Sequence, residues 1–192
     1  MIISKTPYRI SLLGGGTDYP SWYNLHGGQV LSFTIDKYVY ISVRQLPNFF
    51  DHKLRLVYSK IENVKNINQL THPSAKEILN YYNIQAGLEI HYDGDLPAHS
   101  GLGSSSAFSV GLINALSKVM KIKYSKKELA SKAIYIEQDL VKDIVGSQDQ
   151  INAAYGGFNH IKFLKNKKFK VNKINLNKLE LNKFEKNFML FF

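Results

Sequence analysis

The sequence predicts one two-layer α+β domain, a mostly antiparallel sheet with helices packed on one face. Three observations lead there. Alternating β-branched and aromatic runs fill the N-terminal half, apolar residues at helical spacing take over after Gly103, and no repeat or linker interrupts the chain. With 192 residues, 44% hydrophobic and 21% charged, the chain is long and apolar enough to bury a core.

The elements follow in order. Ile2 to Leu13 reads as a strand running into Gly14-Gly15-Gly16, and Val30 to Leu46, with its Tyr38-Val-Tyr-Ile-Ser-Val43 run, reads as its hairpin-like partner. Leu54 to Tyr58 and Leu88 to Tyr92 supply two more strands, while Pro73 starts a helix over Ser74 to Tyr82. Phe108, Leu112, Ala115 and Val119 form one helical stripe; Leu129, Ala133, Ile136 and Leu140 form another, entered through the capping box Ser125-x-x-Glu128. A short helix over Ser147 to Ala154 ends at Gly156-Gly157, and Phe158 to Leu164 with Phe169 to Leu176 make a closing hairpin.

Composition excludes several chemistries. There is no cysteine, hence no disulfide, thiolate zinc site or cysteine nucleophile, and the six histidines lack metal-ligand spacing. Apolar runs such as Phe188 to Phe192 are far shorter than the roughly 20 residues a bilayer crossing needs. Lys5 and Arg9 interrupt the start before a signal-peptide core can form, so a cytoplasmic protein without a membrane partner is expected. The net charge of +10 raises a basic nucleic-acid-binding module as a competing class. Residues 162–192, however, hold nine lysines, two glutamates and six asparagines, which is +7 of that charge, so the excess sits at the C-terminal end rather than on the sheet or its loops. A nucleic-acid partner is therefore not expected.

Three segments carry chemistry. Asp95-Leu-Pro-Ala-His-Ser-Gly-Leu-Gly-Ser-Ser-Ser-Ala107 places a glycine-serine turn between a strand and an amphipathic helix. Glycines let the backbone approach a phosphate, the helix start offers free N–H groups and positive dipole, and serine hydroxyls add hydrogen bonds or a Mg²⁺ ligand. No Gly-Lys-Ser/Thr is present, which excludes a Walker loop. In Pro7-Tyr-Arg-Ile-Ser-Leu-Leu-Gly-Gly-Gly-Thr-Asp18, an arginine in an apolar strand leads to a triple-glycine turn and an aspartate. That suggests a guanidinium facing an anion, or else an edge-strand arginine and a loop aspartate. Glu137 interrupts an apolar stripe with Ala130, Ile134 and Val141, so it requires a partner or a metal, and Asp149 follows at a helix start where it is either functional or an N-cap.

Together these segments resemble the small-metabolite kinases that include galactokinase, homoserine kinase, mevalonate kinase and phosphomevalonate kinase, the GHMP kinases. Arg9-Ile-Ser-Leu-Leu-Gly14 with Thr17-Asp18-Tyr19 resembles the sugar signature of the galactokinase branch; Pro97-x-x-x-Gly101-Leu-Gly-Ser-Ser105 resembles the phosphate loop. Gly146-x-x-Asp149-Gln150 resembles the segment with the catalytic aspartate. The resemblance spans residues 3 to about 164 and implies the family's two-layer N-terminal domain, a type also found in ribosomal proteins.

That resemblance implies phosphoryl transfer from ATP to a sugar hydroxyl, the anomeric one. Gly101, Leu102, Gly103, Ser104, Ser105 and Ser106 would hold the nucleotide, Ser105 and Glu137 would ligate Mg²⁺, Asp149 would serve as base and Arg9 would stabilise the transferring charge. Gly14, Gly15, Gly16, Thr17 and Asp18 would bind the sugar, with Lys37 and Arg44 as candidates for added charge. Where galactokinase has a glutamate and a histidine, this chain has Gly15 and Gly16, which most resembles bacterial kinases for D-glycero-D-manno-heptose 7-phosphate. Kinases for galactose or fucose, and an inactive truncated remnant, are the alternatives. Family members continue into a second domain, so residues 1–185 are expected to form the N-terminal domain and 186–192 to begin a C-terminal one, a chain ending there being catalytically poor by itself. The expected partners are ATP, Mg²⁺ and a sugar phosphate.

Overall fold

A computed structural model describes residues 1–85, 87–97, 100–166 and 168–189 of the chain. In order, the elements are β1 (Ile2–Leu13), α1 (Pro20–His26), β2 (Gly28–Gln45), β3 (Leu54–Val57), β4 (Ile61–Val64), α2 (Pro73–Tyr81), β5 (Leu88–Gly94) and α3 (Ser104–Val119). They are followed by α4 (Lys126–Tyr135), α5 (Gln148–Tyr155), β6 (Phe158–Phe163), β7 (Phe169–Ile174) and α6 (Lys178–Glu185).

Among the described residues the strands form one seven-stranded sheet in the order β4-β3-β5-β2-β6-β7, with β1 along the other edge of β2. The 18-residue β2 organises it: its second half pairs with β5, its first half with β6, and β1 runs beside both halves. Pairing is antiparallel except between β3 and β5. The predicted strands are thus present, and the two-layer α+β architecture is observed.

Period-two burial along β2 and β5 sends Val39, Ile41, Val43, Leu88 and Ile90 into the core, where they meet Leu112, Ile113 and Leu116 of α3 and Ile78 and Leu79 of α2. A second cluster, Tyr23, Val30, Ala130, Ile151, Ile161 and Phe163, seats α1, α4 and α5 on the β2–β6 half. Helices α2 to α5 share one face, as expected. Helix α6 lies on the other, with Phe184 packed against Phe33 and Phe158 at 5.1 and 5.3 Å between ring centroids. Its signal was in the sequence, a second capping box formed by Asn177 and Glu180. Phe188 continues onto Phe33, and residues 190–192, part of the expected second domain, lie outside the described residues.

Two departures from regular geometry prepare the site. The β1–β2 register shifts between Pro7 and Arg9. This breaks the alternation, so that Tyr8 enters the core and donates its hydroxyl to the Leu96 carbonyl (3.1 Å), while the very next side chain, Arg9, also reaches the helical layer. After α4, one π-helical turn, Ile136–Leu140, buries the consecutive residues Ile136 and Glu137.

Candidate active site

Arg9 is the hub. Its Nε donates to Asp149 Oδ1 at 2.6 Å and its Nη2 to Oδ2 at 2.7 Å, a two-pronged ion pair in which both side chains are largely shielded from water. Its Nη1 donates to the Gly101 carbonyl at 2.8 Å, and its backbone N–H to the Leu102 carbonyl at 3.0 Å. One strand residue therefore ties the glycine-serine loop to the first turn of α5. Ser147, not Asp149, stands at the N-cap of α5, which leaves the aspartate carboxylate committed to the guanidinium.

The loop uses glycine for two reasons. Gly101 and Gly103 have φ of +74° and +79°, the left-handed region that side chains avoid, and a Cβ on Gly103 would sit 3.3 Å from both Arg9 Cγ and Asp149 Oδ2. Gly103 caps the 16-residue α3, whose first amides, those of Ser104 to Ser106, belong to a helix start without intrahelical acceptors. The loop thus lies directly on the Arg9–Asp149 pair with open amides beside it. Ala98 and His99, from the same segment, lie outside the described residues.

Beneath the loop is a buried carboxylate. Ser106 Oγ donates to Glu137 Oε2 at 2.8 Å and Gln150 Nε2 donates to the same oxygen at 2.5 Å, while Glu137 Oε1 has no partner among the described residues. Burial pushes this carboxyl above the usual carboxylate range, against the pull of the nearby Ser109 hydroxyl and of the Gln150 and Ser106 donors. Ser105, expected to share a cation with Glu137, is exposed; the serine brought to Glu137 is Ser106, one helical step further round. Among the described residues, no three His, Asp or Glu side chains converge into a metal cage.

This arrangement predicts the effect of Glu137→Gln on stability. A carboxyl raised above its unfolded pKa favours the fold only while protonated and costs stability as pH rises through its folded value. The neutral isostere should then melt higher than the parent at pH 8. A lower melting point at pH 8 would contradict the burial argument.

The glycine turn after β1 is structurally divided. A Cβ on Gly14 would lie 2.0 Å from the Gln29 carbonyl oxygen, so this glycine is required by close packing, whereas Gly15 meets only Ser11 Oγ at 3.8 Å and Gly16 meets nothing within 4 Å. Thr17 pins the turn to β2, its hydroxyl accepting from Gln29 N–H at 3.1 Å and lying 2.7 Å from the Gly14 carbonyl. Asp18, the expected sugar ligand, is held by backbone amides. It is 1% exposed, its carboxylate accepts from Gly16 N–H (3.1 Å) and Gln148 N–H (3.3 Å), and its own carbonyl accepts from Ser147 N–H. It fastens the glycine turn to the start of α5, and burial raises its pKa.

An open cleft of about 480 Å³ brings the pieces together: Arg9, Ser11, Gly14, Gly15, Gly101 and Gln148 all line it. Arg44 is elsewhere, paired with Glu89 on β5, and Lys37 lines a cavity under α6. The sequence reading gave no role to Gln148 or Gln150 and placed Ser106 only on the nucleotide, because its contact with Glu137 comes from packing between helices.

Residues 68–157 match the family described as GHMP kinases N terminal domain. A D-glycero-alpha-D-manno-heptose 7-phosphate kinase of Campylobacter jejuni is 30% identical over 187 residues, covering 89% of this chain and 53% of that protein. A galactokinase of Thermotoga petrophila is 28% identical over 165 residues, covering 83% of this chain and 45% of that protein. Among solved structures, a D-glycero-D-manno-heptose 1-phosphate kinase from Bacteriodes thetaiotaomicron superposes with a TM-score of 0.83 at 27% identity, over 93% of this chain and 61% of that one. The chain spans about half the length of the curated relatives it matches.

Proposed function

The chain carries a GHMP kinase N-terminal domain, and from that premise we propose that the protein transfers the terminal phosphoryl group of ATP to a sugar hydroxyl, with D-glycero-D-manno-heptose 7-phosphate as the preferred acceptor. The observation that carries the proposal is the Arg9–Asp149 pair lying directly under the Gly101–Gly103 turn at the start of α3.

The division of labour follows from charge and reach. Open amides at the start of α3 and the Gly101–Gly103 backbone bind the β- and γ-phosphates. Asp149, oriented by both prongs of Arg9, accepts the proton of the attacking hydroxyl or holds it in line, and Arg9 stabilises charge on the transferring group. The oxygen donors fit Mg²⁺: Glu137 presents a buried oxygen without a hydrogen-bond partner, and the Ser106 hydroxyl lies beside the same carboxylate. Held by these residues together with the nucleotide, Mg²⁺ would supply positive charge against the phosphates. Among the described residues no helix is long and apolar enough to cross a membrane.

The acceptor reading rests on Gly15 and Gly16. Gly15 lines the cleft, an added Cβ at either glycine would meet little or nothing, and the turn's backbone offers N–H groups where the resemblance to galactokinases implies a glutamate in those enzymes. A carboxylate about 4 Å from a sugar phosphate would repel it by ~1 kcal/mol in water and by several kcal/mol in a cleft of lower dielectric. The heptose should therefore be used better with its 7-phosphate than without it, and better than galactose or fucose. Equal kcat/KM with and without the 7-phosphate would remove the phosphate pocket and leave the sugar-kinase reading intact.

Nucleotide placement is tested separately. Gly103→Val forces a branched side chain into left-handed backbone and against Arg9 and Asp149, so calorimetry should show Mg·ATP affinity reduced by roughly 10-fold or more. Unchanged affinity would take the loop out of the nucleotide site.

A further inference from the structure

Gln150 is fully enclosed, follows Asp149 in the first turn of α5, and has no part in phosphoryl transfer as described. Its surroundings are unusual for a core amide. Its Nε2 and the Ser106 hydroxyl, arriving from two different helices, both donate to Glu137 Oε2. The other oxygen of that carboxylate, Oε1, and the amide oxygen of Gln150 itself are buried acceptors that no donor among the described residues meets in hydrogen-bond geometry, although the equally buried and unpartnered Ser109 hydroxyl lies near enough to Glu137 to act on its carboxyl.

Bare acceptors in a dry site carry a desolvation penalty, which is tolerable where a cation or its bound water arrives to fill them. A carboxylate held by one donor can still swing about its terminal torsion. Two donors converging on one oxygen stop that swing and leave the second oxygen with a single direction. We propose that Gln150 is a positioning residue that holds the Glu137 carboxylate so that Oε1 meets the divalent cation accompanying the nucleotide; this rests on the kinase reading above. Because Gln150 and Asp149 are consecutive in one helical turn, the same rigid element sets the cation ligand and the group facing the acceptor hydroxyl.

The test compares binding of Mg·ATP with binding of ATP in EDTA, by calorimetry without sugar, in the parent protein and in Gln150→Met, which keeps the volume and removes the donor. The parent should prefer the Mg²⁺ form. In Gln150→Met that preference should shrink by ~10-fold or more while affinity for metal-free ATP stays within about twofold, and the Mg²⁺ concentration for half-maximal turnover should rise without a change in sugar KM. An undiminished preference in folded Gln150→Met overturns the inference and leaves the kinase reading standing. A parent that binds no ATP in either form overturns both. If Gln150→Met does not fold, Gln150→Asn keeps a buried amide but falls one methylene short of Glu137. It should lose the preference in the same way, and its keeping the preference would equally overturn the inference.

Discussion

Asp149→Asn is expected to lower turnover by roughly 10² or more, because the amide keeps shape and one hydrogen-bond acceptor but cannot take a proton. The effect on stability should be smaller yet measurable. Arg9 now finds one carbonyl oxygen where it had two carboxylate oxygens at 2.6 and 2.7 Å, a loss of about 1 to 2 kcal/mol for a charge-assisted bond. Steady-state kinetics beside thermal melts separate the two. A variant that unfolds but whose folded fraction turns over normally would reduce Asp149 to an anchor for Arg9. Arg9→Met should also abolish most turnover, and the double variant should be little worse than either single one, since the two groups act as a unit.

Gly146→Ala is expected to be strongly destabilising for a single added methyl group. The new Cβ would fall 1.8 Å from Asp18 Oδ2 and 2.6 Å from its Cγ, so the buried carboxylate must leave. Its departure strands the Gly16 and Gln148 amides, each worth on the order of 1 to 3 kcal/mol when left unpaired. A total of about 3 kcal/mol or more corresponds to a fall in Tm of roughly 6 to 12 °C for a chain of this size. Asp18→Ala removes the obstacle, so the double variant should be less destabilised than the sum of the two singles. A Gly146→Ala protein melting within about a degree of the parent would show that Asp18 is not confined as described.

Much of this was legible in the sequence. The serine-glycine turn, the Ser125 and Glu128 capping box and the β6–β7 hairpin depend on neighbours a few residues apart, where turn chemistry and periodicity speak directly. The nearness of Asp149 and Arg9, 140 residues apart, was available only through resemblance. Other features were hidden for identifiable reasons. Strict strand alternation puts Tyr8 and Arg9 on opposite faces, and only the register shift delivers both to the helical layer. Ser105 and Ser106 are about 100° apart around α3, so composition could not say which one meets Glu137; packing of α3 against the π-helical turn decides it. Asp18 reads as a loop aspartate because its partners lie at Gly146 to Gln148. Helix α6 was obscured by the Lys/Asn-rich composition around it, although its cap and its Phe184 anchor were present.

The central claim is that the Arg9–Asp149 pair and the loop above it move a phosphoryl group from ATP to a sugar. Phosphorus NMR of the complete enzyme with Mg·ATP and D-glycero-D-manno-heptose 7-phosphate follows both reactants at once. The account predicts ADP and a second, anomeric phosphate on the heptose appearing in equal amounts, with neither formed by Asp149→Asn. ATP left intact, or split to ADP and inorganic phosphate while the heptose stays unchanged, would contradict it.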